Sequence, residues 1–66
     1  MKNKEAVKLG QQLRKARESA NLTQADVAEK SGITTNYYAM VERGEKNITY
    51  GKMQRILKVL NIRSLD

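Results

Sequence analysis

The stretch TQADVAEKSGITTNYYAMVERG, Thr23 to Gly44, decides the fold. Thr23 is a helix-capping residue. Its hydroxyl can accept a backbone N–H of the first turn, and Asp26 can answer it, a capping box with Asp in place of the usual Glu. Val27 and Ala28 then face inward, and Lys30 places a cation where the helix dipole favours one. Ser31–Gly32 ends this helix, since Gly32 can take the positive φ of a sharp turn. Thr34 caps the next helix, which reads to about Arg43. Tyr38 and Val41 are spaced for its inward face, Tyr37 lies near the edge, and Gly44 stops it. Ala28 is small where the two helices come closest, and Ile33, Tyr38 and Val41 provide an apolar seal. A small residue, a Gly four positions on, and apolar residues six and nine beyond that Gly together predict a helix-turn-helix.

Helical spacing continues on both sides of this stretch. Leu9, Leu13 and Ala16 form one stripe of a first helix from about Asn3 to Ala20, and Asn21 suits a left-handed stop. Glu45–Asn47 reads as a loop. Thr49 caps a last helix, Tyr50 to Leu60, with Tyr50, Met53, Ile56, Leu57 and Leu60 on its buried stripe. Asn61 ends it, and Ile62–Asp66 is open to either a short strand or a loose end. Gly51 is out of place in a first turn; close approach of a neighbouring helix or subunit would account for it. The expectation is an all-α, four-helix domain covering residues 1–66, with the motif at 23–44.

Composition narrows the chemistry. The chain has 66 residues, with 13 Lys+Arg against 7 Asp+Glu, a net charge of +6. Such an excess on so small a domain favours an anionic partner. The basic residues are spread from Lys2, Lys4 and Lys8 through Arg14, Lys15 and Arg17 to Lys52, Arg55 and Lys58, so they describe cationic surfaces and not a basic arm. Cysteine and histidine are both absent, which removes the usual nucleophile and general base. It also removes the usual zinc ligands. No Gly-rich phosphate loop is present. An enzyme is not expected, nor a cofactor, a metal or a small-molecule ligand. No segment approaches the ~20 apolar residues of a membrane span. The N-terminus MKNKEAVKLG lacks a signal-peptide core, so a cytoplasmic setting is expected.

From LGQQLRKARE (Leu9–Glu18) through LTQADVAEKSG and VERGEKNIT to KVLNI, the chain resembles the lambda Cro/repressor-type (XRE) helix-turn-helix family. It is most similar there to HipB-type antitoxins, with their very short C-terminal tail. The resemblance implies a lambda-repressor-like fold and roles for particular residues. Gln24 matches a Gln that contacts a DNA phosphate. Thr34, Thr35, Asn36, Ala39 and Met40 match positions that point into the major groove. Arg43 and Asn47 match backbone-contacting positions, and Tyr37 is either packing or a phosphate contact. Arg17 and Glu42 match an Arg–Glu pair tying the first helix to the end of the third.

Physical reasoning agrees with these roles. A helix N-terminus attracts phosphate, and a recognition helix reads bases through its first turns. Asn36 can pair with adenine N6 and N7 together, Thr35 can bond a base edge, and Ala39 and Met40 suit thymine methyls. Without an Arg in the reading face, an A·T-leaning half-site is expected.

Too few side chains read bases for one copy to be specific. A symmetric dimer on a palindrome, acting as a repressor, is therefore the first expectation. The antitoxin resemblance adds a HipA-type kinase toxin as partner and an inter-subunit strand from the tail. A protein-interaction module that keeps only the fold is a further alternative. Restriction-modification controllers are another; they usually continue into a fifth, dimerising helix, for which no room is read after Asn61.

Overall fold

A computed structural model describes residues 4–62. Those residues form four helices and no strand: α1 (Lys4–Ser19), α2 (Gln24–Ser31), α3 (Thr35–Glu42) and α4 (Tyr50–Val59). The expected boundaries hold to within a residue; of the tail segment 62–66, open to a strand or a loose end, residues 63–66 lie outside the described residues. No helix described is long and apolar enough to cross a membrane.

Capping explains where the helices begin and end. Thr23 Oγ1 accepts the Asp26 N–H at 3.0 Å, and Asp26 Oδ2 accepts the Thr23 N–H at 2.9 Å. The capping box thus forms with Asp in the Glu position. These bonds hold the exposed Asp26 carboxyl below its ordinary range. At α3 and α4 the Thr34 and Thr49 hydroxyls likewise accept a first-turn N–H, from Tyr37 and Lys52, without a reciprocal side-chain bond. At their other ends the four helices share one device. Asn21, Gly32, Gly44 and Asn61 all have positive φ, between 58° and 76°. In each case the following N–H returns to a carbonyl five residues back: Leu22 to Arg17, Ile33 to Ala28, Glu45 to Met40, Ile62 to Leu57. This is the Schellman arrangement, which satisfies carbonyls that the helix leaves unpaired.

The core is Leu13, Val27, Ala28, Tyr38, Val41, Ile56 and Leu60, with Leu9, Ala16, Leu22, Ile33 and Met53 among the partly buried residues packed on it. α2 packs on α3 and α4, and α1 packs on α3. Gly10 sets the last of these contacts. A Cβ there would stand 2.6 Å from the Val41 carbonyl oxygen and closer still to that of Glu42. Only a bare backbone allows α1 to cross the end of α3 at this distance.

Two expectations about α4 are corrected. Tyr50 is not on the buried stripe; it is 79% exposed. As the first helical residue its side chain leans towards the N-terminus, off the body of the helix, and its hydroxyl favours water. Gly51 meets no neighbouring helix, since nothing lies within 4 Å of where its Cβ would be.

Candidate nucleic-acid interface

The reading face is built from the turn outward. Gly32 closes α2 with φ +73°, Ile33 plugs the turn, and Thr34 caps α3 by accepting the Tyr37 N–H at 3.0 Å. Its hydroxyl proton is left for another partner. Burying Tyr38 and Val41 turns the opposite side of α3 outward. Thr34, Thr35 and Asn36 are exposed together at its start, while Ala39 and Met40, one turn on, are half-buried. The five candidate readers therefore form one uncharged strip, polar at the N-terminal end and apolar behind.

The flanking residues separate into two groups. Arg43 and Asn47 are exposed just past α3. Arg43 pairs with Glu45 at 3.0 Å, so part of its charge is already answered. Tyr37 is half-buried and tied down. Its hydroxyl donates to the Asn47 carbonyl over 3.4 Å, and Lys52 Nζ sits 4.7 Å from its ring centroid. This cation–π contact joins α3 to α4. In the free protein Tyr37 thus braces the segment after α3, with a long, weak hydrogen bond holding its hydroxyl.

Arg17, Gln24 and Glu42 meet behind the reading face. Arg17 Nε and Nη2 donate to Glu42 Oε2 and Oε1 at 2.7 and 3.2 Å, and Nη1 donates to the Leu22 carbonyl at 3.0 Å. Gln24 Nε2 donates to Glu42 Oε1 at 3.0 Å. Only 2% of the Glu42 side chain is exposed, against 13% for Arg17. Burial alone would raise the Glu42 pKa. The bonds from Arg17 and Gln24, the nearby Tyr38 hydroxyl and the Arg17 charge outweigh it and hold the carboxyl below its ordinary range. The bond to Glu42 raises Arg17 in turn. Burial pushes the Tyr38 phenol well above its ordinary value, with the Glu42 charge adding to it. The Tyr38 hydroxyl is near enough to favour the Glu42 anion, yet it makes no hydrogen bond of acceptable geometry.

Sequence reasoning placed Gln24 at the DNA backbone without finding its bond to Glu42. Eighteen residues separate the two, and no local pattern relates them. Gly10 lies within LGQQLRKARE, but the backbone it meets belongs to α3, and nothing local marks it.

Residues 13–66 match the family model described as helix-turn-helix. The restriction-modification controller protein C.AhdI from Aeromonas hydrophila is similar in structure, with a TM-score of 0.89 and 33% identity over 92% of each chain. A mutant of the controller C.Esp1396I superposes with a TM-score of 0.86 at 27% identity, covering 94% of this chain and 78% of that one. The biofilm regulator SinR, solved in complex with DNA, shares the fold with a TM-score of 0.77 at 24% identity, over 82% of this chain and 87% of its own. No curated protein is similar enough to count as a match.

Proposed function

This chain belongs to the helix-turn-helix family, of the XRE type, and we propose on that footing that it is a sequence-specific repressor binding DNA as a symmetric dimer. Its family and fold are those of DNA-binding transcriptional regulators, which are not enzymes. The observation that carries the finer reading is the exposed strip Thr34–Thr35–Asn36 at the start of α3, backed by buried Tyr38 and Val41. Thr35 and Asn36 read base edges, and Ala39 and Met40 lie against thymine methyls. Gln24, Arg43 and Asn47 hold the backbone, with Tyr37 supporting them. Residues 1–66 act as one domain in a cytoplasmic setting.

The test is fluorescence anisotropy with the DNA upstream of its own gene and with random duplex, at two salt concentrations. Specific binding exceeds random binding at both. Equal affinities would remove the repressor reading and leave only charge attraction. Selection from a random pool tests the A·T-leaning half-site, which guanine at the contacted positions would contradict.

The likeness to C.AhdI favours a second reading, control of a restriction-modification operon, because the similarity spans 92% of that chain. The resemblance to HipB-type antitoxins has no such support from the comparisons. Neighbouring genes separate the two: a methyltransferase and endonuclease for a controller, a kinase-like frame for an antitoxin.

A further inference from the structure

We propose that Glu42 is a positioning residue for DNA binding, its buried carboxylate holding the Gln24 carboxamide in the orientation from which it clamps a phosphate. This rests on the phosphate role given to Gln24 above. Gln24 is the first residue of α2, beside backbone N–H groups that the helix leaves unpaired. Left to itself a Gln side chain rotates freely and can present oxygen as readily as nitrogen. A phosphate needs the nitrogen.

Glu42 removes that freedom. Its Oε1 accepts from Gln24 Nε2 at 3.0 Å, and an ionised carboxylate can only accept, so it selects the amide nitrogen. One N–H goes to Glu42 and the second is left to donate elsewhere. The carboxylate is itself immobile. Arg17 grips both of its oxygens and is anchored in turn to the Leu22 carbonyl in the turn between α1 and α2. Glu42 is also the last residue of α3. One buried group therefore fixes the start of the clamping helix against the end of the reading helix. Phosphate contacts set the register in which bases are read, so this link aligns clamp and reader before DNA arrives.

Charge alone predicts the opposite sign for the test. Glu42→Gln raises the net charge from +6 by one and should tighten DNA binding by electrostatics. Positioning predicts that it weakens binding, by about two- to tenfold, the worth of one hydrogen bond. Anisotropy is measured for wild type, Gln24→Ala, Glu42→Gln and the double variant on a duplex selected from a random pool, with circular dichroism confirming that each is folded. The expected result is that Gln24→Ala weakens binding, Glu42→Gln weakens it, and the double variant is no weaker than the weaker single. If Gln24→Ala weakens binding but Glu42→Gln tightens it, or acts equally in both backgrounds, the positioning role is overturned and the phosphate role stands. If Gln24→Ala changes nothing, both fall. Should Glu42→Gln not fold, wild-type protein still decides. By NMR one Gln24 Nε2 proton should exchange slowly with water and remain so on the duplex. Fast exchange of both protons would overturn the proposal.

Discussion

Arg17 and Glu42 show how much one pair can carry in a small domain. The carboxylate is almost wholly buried, so truncating Arg17 to Ala strands a charge without its partner. Loss of one member of such a pair costs about 3–5 kcal/mol, comparable with the whole stability of a domain this size. Arg17→Ala is expected to be largely unfolded in urea concentrations that wild type survives; a midpoint within error of wild type would mean the pair is solvated. The same group sets the acid limit. Glu42 and Asp26 have depressed pKa values in the folded state, so near their ordinary range the unfolded chain binds more protons. Their contribution is complete above the unfolded values and is lost as pH falls through the folded ones. Urea midpoints should be level from neutral pH to about pH 5 and decline below it. Partners on separate helices are legible only through a family likeness. The likeness supplies the Arg17–Glu42 pair and says nothing of the Gln24 bond.

Individual helices were more readable, because caps act over a few residues. Thr23, Thr34 and Thr49 each accept a first-turn N–H, and Asn21, Gly32, Gly44 and Asn61 each take positive φ. Every one is a residue whose own chemistry favours that place. Periodicity gave most of the buried faces, and it failed at Tyr50, where the stripe runs past the end of the core. Gly10 was hidden for the converse reason, since what it touches lies on another helix. Gly51 yields a clean prediction for α4. With open space around it, Gly51→Ala should stabilise by about 0.5–1 kcal/mol. That corresponds to a rise in Tm of roughly 2–8 °C. A fall in Tm would mean that the open space is filled in solution, for example by a second copy.

At the scale of the molecule, charge and size govern. A chain of 66 residues with net charge +6 depends on counterion release for much of its DNA affinity. Arg43→Gln is expected to weaken binding evenly across sequences and to reduce the salt slope by up to about one. Its pair with Glu45 should make the reduction smaller than for an unpaired cation. A sequence-dependent loss would instead make Arg43 a base reader. The proposed dimer and operator are the least legible: the operator is a DNA sequence that the protein does not encode, and a dimer interface is a pairing of surfaces that one copy alone does not display. The placement of the three tyrosines has a practical consequence. With no tryptophan in the chain, they are its only strong near-ultraviolet chromophores, and they sit at three depths: Tyr38 sealed, Tyr37 half-covered, Tyr50 open. Burial raises the Tyr38 phenol, so an unfolded chain releases that proton first. Stability should therefore fall as pH rises beyond about 10. Tyr38 should develop phenolate absorbance only as the protein opens, an optical report of unfolding that needs no label.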